Sequence, residues 1–565
     1  MVDKSKYVIK WLYKYTKGQL WWVVCLSFIT GAISIGYILL AVASKNILDI
    51  ATGDYDGSMA VAISQVIGII VLQSVLNILY CNIVIRAVGK ISIKIKQGLF
   101  SAFVGKKWTE VNVFHSGEIL NRFTSDVDVV VNGFVSIIPN AISLGTRLVA
   151  GMAVLLIIDW KFTLAVIVIG IFVFVASKIY SKHFKYLHKE NQKARGVVNS
   201  YIQECVENLV VIKSFANFSI VGAKLREKQH SYLKLMYKKQ RVSNVANTAV
   251  YILFTGSYYA ALVWGAFNIG AGVITVGTLN AFLQILDQIK SPMKDISGLV
   301  PEFYSSIASA ERLMELESLE DENIAENNES TESLYSRLKS IVFKNVTFAY
   351  NKETVLENAS AIINKGELVA VAGPSGIGKS TMMKLILGLI EPDEGNIFLS
   401  TDNGRSIPLD AGLRKLFAYV PQGNMILSGT IRENISFCSP EASTEDIIRA
   451  AKNAMVWDCI KTLPKGIETE VGERGLGLSE GQVQRIAIAR ALLCDAPILL
   501  FDEATSALDE KTERALIDNL KALKEKTCIF ISHKHRTIKM CDRIISFNDK
   551  RLTECSFDEL IESWK

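Results

Sequence analysis

Charge is scarce in this chain of 565 residues: Asp, Glu, Lys and Arg make up 21% of it, while half is hydrophobic. A wholly soluble protein of this size does not carry so apolar a balance. Paired cysteines are lacking too. The nine cysteines run from Cys25 to Cys555 with no C-x-x-C pair and no histidines at zinc spacing. This excludes a disulfide framework and a structural zinc site, and it fits a reducing compartment with ordinary buried thiols. A signal-peptide cleavage site is also missing. Lys4, Lys6, Lys10, Lys14 and Lys17 surround Tyr7, Trp11 and Tyr13, but no small-residue cleavage motif follows the first apolar run. The start therefore reads as an amphipathic interfacial segment before a retained span. The formal net charge is only +6 and comes from lysines clustered between apolar runs. A membrane surface is the expected partner, and nucleic acid is not.

Long apolar runs fill the first half. Six spans are expected: Trp21 to Ala43, Met59 to Val88, Val131 to Ile158, Phe162 to Ser177, Val245 to Phe267 and a weaker Val273 to Ile289. Trp21 and Trp22 suit an interfacial anchor, and Asp159-Trp160-Lys161 alone separate the third span from the fourth. The stretch after span two holds Lys90, Lys94, Lys96, Lys106, Lys107 and Arg122, and that after span four holds Lys182, Lys185, Lys189, Lys193 and Arg195. The opposite loops are poor in Lys and Arg, so both termini and the two long basic loops are expected in the cytosol. Ile91, Ile95 and Leu99 recur at helical spacing, which extends the spans below the bilayer.

Polar residues within the spans are the only clue to cargo. Asn280, Gln284, Asp287 and Ser291 share one helical face in span six; Gln73, Asn77 and Tyr80 form a shorter stripe in span two; Arg147 lies inside span three. They line a translocation path or bond one helix to another.

From Glu311 to Glu332 the chain turns acidic and polar, the composition of a solvated linker. Beyond it the apolar stretch Leu368-Val369-Ala370-Val371-Ala372 runs into Gly373-Pro374-Ser375-Gly376-Ile377-Gly378-Lys379-Ser380-Thr381. A strand, a glycine-rich loop and a helix N-terminus in that order surround phosphate oxygens with backbone N–H groups. Lys379 reaches the β and γ phosphates of ATP in such a loop, and the Ser380 hydroxyl ligates Mg2+. A second buried-strand pattern, Ile498-Leu499-Leu500-Phe501, ends in Asp502 and Glu503. Asp502 is expected to hold Mg2+ through water and Glu503 to polarise the attacking water.

Between these motifs, Leu478-Ser479-Glu480-Gly481-Gln482 closely resembles the LSGGQ signature of ATP-binding-cassette (ABC) proteins, with Glu480 in place of the second glycine. The whole chain resembles an ABC exporter half-transporter. The resemblance implies a multi-domain protein: an all-α transmembrane bundle of six spans, of the type I exporter kind, followed by an α/β P-loop ATPase cassette. The expected boundaries are 1–310 for the membrane domain, 311–337 for the linker and 338–565 for the cassette. By the same resemblance Tyr350 stacks on adenine, Gln422 touches Mg2+ and senses the membrane domain, Asp509 is the acid of the D-loop, and His533 contacts the γ-phosphate. Thr469 to Gly475 resembles the exporter X-loop. Phe114 to Arg122 with Asp126 resembles the first coupling-helix region, and Lys213-Ser214-Phe215 lies where the second is expected.

In that family the signature of one cassette closes over the ATP of another, so Ser479, Gly481 and Gln482 are expected to serve a second chain, in a homodimer or a heterodimer. ATP-driven closure then switches the spans between inward- and outward-open, exporting a drug, lipid or peptide. An ATP-gated channel or sensor is the alternative; a soluble ABC ATPase is disfavoured by the spans. No peptidase domain is expected ahead of span one. The expected location is a prokaryotic inner (plasma) membrane, multi-pass, with the cassette in the cytosol.

Overall fold

The computed structural model describes residues 2–323, 329–351, 353–423, 426–472, 477–523 and 525–563. They form two compact units, one of Met1–Ser101 with Ser116–Glu317 and one of Ala102–His115 with Ser318–Lys565.

The first unit is built from helices. α1 (Val2–Thr16) is amphipathic, and Val8, Trp11 and Tyr15 enter a shared apolar core. Then come α2 (Leu20–Thr52) and α3 (Met59–Val104); the short α4 (Trp108–Val111), part of the second unit; and α5 (Ser116–Asn121). A π-helical turn at Arg122–Asp126 leads into α6 (Val127–Ile158), followed by α7 (Trp160–Glu207), α8 (Leu209–Ser214), α9 (Phe218–Gly270) and α10 (Val276–Ser318).

The first five expected spans fall within the long helices α2, α3, α6, α7 and α9, and the sixth begins at Val273, ahead of α10. Among the described residues, four helices are long and apolar enough to cross a membrane: Leu20–Thr52, Met59–Val104, Ser116–Ile158 and Phe218–Gly270. The basic loops are continuous helical extensions of the spans, and Ile91, Ile95 and Leu99 are buried along one face of α3. Asp159 separates α6 from α7: its extended backbone ends the first helix, and its carboxylate accepts a hydrogen bond from Lys161 N at 2.7 Å.

α10 runs on through Ser318, because Leu313 and Leu316 are buried within the acidic stretch and hold it helical. Arg122 and Asp126 explain part of that hold. Arg122 donates to the carbonyl of Arg312 at 2.8 Å and to Glu118 at 2.7 Å. Asp126 accepts from Ser309 at 2.9 Å and from Arg312 Nε at 2.8 Å. These buried ion pairs satisfy their charges locally, as burial demands.

The second unit, the cassette, opens with α11 (Thr331–Ser336), capped by Ser330. Its strands are β1 (Leu338–Tyr350), β2 (Glu353–Asn364), β3 (Leu368–Ala372), β4 (Glu394–Thr401), β5 (Ser406–Pro408), β6 (Phe417–Val420), β7 (Gly429–Thr430), β8 (Glu470–Val471), β9 (Ile498–Asp502), β10 (Thr527–Ile531), β11 (Arg543–Asn548) and β12 (Arg551–Cys555). Its remaining helices are α12 (Lys379–Ile386), α13 (Ile431–Ile435), α14 (Thr444–Asn453), α15 (Trp457–Ile460), α16 (Glu480–Leu493), α17 (Glu510–Ala522), α18 (His535–Met540) and α19 (Phe557–Ser563).

The central sheet has the order β12-β11-β3-β10-β9-β6, parallel except at β12. Every residue of β3, β9 and β10 is buried, which is why these strands read as unbroken apolar runs. A second sheet, β2-β1-β4-β5, is antiparallel. The parallel order sets the C-terminal ends of β3, β9, β10 and β6 along one edge, where such sheets bind ligands.

Candidate functional site

The phosphate loop spans Gly373 to Gly378, between β3 and α12. Gly378 sits at φ +117°, and a Cβ there would lie 2.1 Å from Val355 Cγ1, so only glycine fits. Lys379, the first residue of α12, is buried and donates to the carbonyls of Gly373 at 2.9 Å and Pro374 at 2.7 Å. Burial pulls its pKa down, and the nearby Glu503 and Asp502 oppose that pull.

Asp502 ends β9 and is buried. Ser380 Oγ donates to one carboxylate oxygen and Tyr419 OH to the other, each at 3.1 Å. Burial raises the Asp502 pKa, and the two hydroxyl bonds hold it back. Tyr419 comes from β6, which pairs with β9 in the sheet. The sequence reading overlooked it; its position on the strand that ends just before Gln422 was the available signal.

Glu503 has φ +51°, a left-handed backbone that a non-glycine residue rarely adopts. Its N–H bonds to the Ile531 carbonyl at 3.1 Å, which fixes the chain as it leaves β9 beside β10. The carboxylate takes a hydrogen bond from Gln422 Nε2 at 2.6 Å, and His533 Nε2 lies 3.3 Å from its other oxygen. Burial and the Lys379 charge lower the His533 pKa, while Glu503 acts against them. Lys379, Ser380, Asp502, Glu503, Gln422 and His533 thus converge at one sheet edge from four separate segments.

Other expected residues stand apart from that cluster. Ser479 caps α16 in a capping box: its Oγ accepts from Gln482 N at 3.3 Å, and Gln482 Oε1 accepts from Ser479 N at 2.8 Å. A Cβ on Gly481 would lie 2.9 Å from the Ala507 carbonyl. Gln484, which the sequence reading also overlooked, is buried; it donates to Ser506 Oγ at 2.9 Å and accepts from Ala507 N at 3.1 Å. The signature helix is thereby fastened to the loop after Glu503. Asp509 caps α17, accepting from Thr512 N at 3.1 Å. Tyr350 ends β1 half-exposed, with its ring 4.9 Å from that of Phe348. Within the expected X-loop, Glu473 to Gly475 lie outside the described residues.

Lys106 and Lys107 pair with Asp321 at 2.8 Å and Glu320 at 3.0 Å. Trp108 packs on the apolar core of the cassette, with Lys384 Nζ 4.6 Å above its ring. These contacts lie within the second unit, while Arg122 and Asp126 bond to α10. Phe215 is 73% exposed at the end of α8.

In the membrane half, Asn280 and Gln284 of α10 both donate to Ser44 Oγ of α2, at 3.3 and 3.0 Å. Gln73 bonds to the Ile33 carbonyl at 3.2 Å. At these positions the polar stripes are spent on interhelical bonds. Asn77 and Asp287 are exposed, and the side chain of Ser291 lies outside those described. Arg147 lies over the Tyr37 ring at 4.8 Å, with its Nε buried and lacking a hydrogen bond.

Comparison with known proteins agrees with this geometry. The family model for the ABC transporter transmembrane region matches residues 20–293, and that for the ABC transporter matches residues 356–506. An ATP-dependent lipid A-core flippase of Pasteurella multocida is 30% identical over 90% of this chain and 88% of its own length. The chain belongs to the ABC transporter family. It is an ATPase coupled to transport, with the membrane domain and cassette of an exporter half-transporter fused in one chain. An ATP-dependent lipid A-core flippase of Photobacterium profundum is 29% identical over 92% of the chain and 90% of the relative. The mitochondrial iron-sulfur clusters transporter ATM1 of Chaetomium globosum is 33% identical over 71% and 67%. A bacterial Atm1-family ABC exporter with ATP bound shares the fold, with a TM-score of 0.77 at 24% identity, covering 97% of each chain. The alternative of an ATP-gated channel has no counterpart among these relatives.

Proposed function

We propose that this ABC transporter hydrolyses ATP to export a lipid-class amphiphile, with Glu503 as the general base. The carrying observation is the placement of Glu503 between Gln422 and His533 at the edge that bears the phosphate loop. Gln422 senses the state of the site through that contact. His533, kept neutral by its lowered pKa, takes the γ-phosphate side, and Lys379 exchanges its two loop carbonyls for phosphate oxygens. Tyr350 meets the adenine.

The residues present suit Mg2+: Ser380 and Asp502 already face each other, Gln422 bonds to the adjacent Glu503, and a cation would offset the cost of burying the Asp502 charge. When bound, the ion neutralises charge on the transferring phosphoryl group.

Ser479, Gly481 and Gln482 then close over the ATP of a second copy of this chain, with Asp509 beside that interface. We place the chain in an inner (plasma) membrane, and the basic loops support a cassette in the cytosol. The membrane and cassette domains divide near 310 and 338, joined by the acidic linker. The flippase relatives support a lipid substrate, and Arg147, whose Nε is unspent inside a span, suits an anionic headgroup.

Glu503→Gln is the test. It retains ATP binding and traps the closed dimer, while turnover falls at least about 100-fold. Undiminished hydrolysis would remove Glu503 from the role. ATPase stimulation in vesicles by anionic lipids, but not by peptides or neutral drugs, tests the substrate class.

A further inference from the structure

The sequence led us to expect ordinary buried thiols, and Cys528 meets that expectation. Cys438 does not. It is exposed at the end of the short 3-10 turn Ser436–Cys438 that follows α13, and its thiol neighbours that of Cys494, the C-cap residue of α16. Arg490, one turn back on α16, is anchored by its Nε to the Asn434 carbonyl at 2.7 Å and by Nη2 to Asn434 Oδ1 at 2.8 Å. Its guanidinium also lies over the Phe437 ring at 5.6 Å, which brings the positive charge to the residue preceding Cys438.

The pair is therefore asymmetric: an exposed thiol beside a fixed cation, and a half-buried thiol behind it. The Cys438 thiol is held well below the ordinary range by the Cys494 thiol and the Arg490 charge, whereas the contact and burial push Cys494 up. Reactive cysteines occupy such partly exposed, electropositive places, and a neighbouring second thiol resolves the first oxidation product.

We propose that Cys438 and Cys494 form a peroxide-responsive dithiol, closed reversibly into a disulfide that slows ATP turnover. The Cys438 thiolate attacks one oxygen of a hydroperoxide. An S–O bond forms, the O–O bond breaks, and the leaving oxygen takes a proton to depart as water or an alcohol. Cys494, on losing its proton, attacks the resulting sulfenic sulfur. The S–S bond forms, the S–O bond breaks, and water leaves. Two thiols lose two electrons in all, and the peroxide gains them. A small dithiol reverses the bond by exchange. In the reducing cytosol proposed for the cassette, a disulfide of this kind is transient and regulatory. Once closed, it ties the segment that follows Gln422 to the helix that begins at Ser479, two parts of the hydrolytic machinery.

The test uses the full chain in vesicles, treated with hydrogen peroxide and digested without reduction. Mass spectrometry is expected to find Cys438 joined to Cys494, with Cys438 consumed roughly ten-fold faster than Cys555. Dithiothreitol is expected to restore both thiols and the ATPase rate. Cys494→Ser should stop at a sulfenic acid on Cys438 that dimedone captures, and Cys438→Ser should keep its full ATPase rate through the same treatment. Cys438 reacting no faster than Cys555, or joining other partners in preference to Cys494, would overturn the pair. A disulfide that leaves hydrolysis unchanged would overturn the regulatory role.

Discussion

Tyr419 shows what a single hydroxyl does for the Asp502 carboxylate, the proposed Mg2+ ligand. Its bond to Asp502 stabilises the charged form and so opposes the rise in pKa that burial causes. Removing the hydroxyl leaves burial less opposed, and the folded-state pKa of Asp502 rises further. Protons then compete with Mg2+ at higher pH. Tyr419→Phe is expected to weaken Mg2+ about ten-fold and to move the acid limb of the ATPase pH profile upward. An unmoved limb would mean that Ser380 alone sets the carboxylate. Individual site residues were legible where a motif is local: the phosphate loop and Asp502-Glu503 each carry their geometry within a few positions. Tyr419 and Gln484 act through strand order and helix packing, which no local window displays. Asp509 was read for its likeness to a family acid, yet its hydrogen bond caps α17, a role its place one residue before that helix would have shown.

Among the elements, α4 packs within the second unit through Trp108. Trp108 buries an apolar body on the cassette and offers its ring to Lys384. Losing that cation–π contact costs about 1 kcal/mol. Trp108→Ala is expected to leave basal hydrolysis in place while abolishing its stimulation by cargo; loss of both together would make Trp108 a packing residue alone. The helices themselves were legible because apolar runs of span length have few alternatives. Their lengths were less so: α10 outlasts its apolar run because Arg122 and Asp126, distant in sequence, grip its acidic end.

The bond between α2 and α10 yields to a double-mutant cycle. Ser44→Ala and Gln284→Ala, alone and together, should show a coupling near 0.5 kcal/mol. Additive effects, with cargo response changed only by Gln284→Ala, would return that residue to the translocation path.

At the scale of the molecule, the division into an apolar half and a cassette followed from composition, while the pairing of two chains followed only from family resemblance. Under the proposed closure of one chain's signature over the ATP of another, each ATP site is a shared one. Mixing Glu503→Gln chains with unaltered chains should therefore lower activity along a curve, because mixed pairs lose more than their share; a straight line would mean that each chain works alone.

One backbone angle bears on the fitness of the whole fold. Glu503 at φ +51° holds a conformation that costs an L-residue roughly 1 kcal/mol, a cost every folded copy carries. Asparagine tolerates that region better. Glu503→Asn chains are expected to lose hydrolysis and yet melt slightly higher than unaltered ones. Natural selection on this position would then be preserving a less durable protein for the sake of its chemistry, and a search for thermostable variants without an activity screen would discard the proposed base among its first gains.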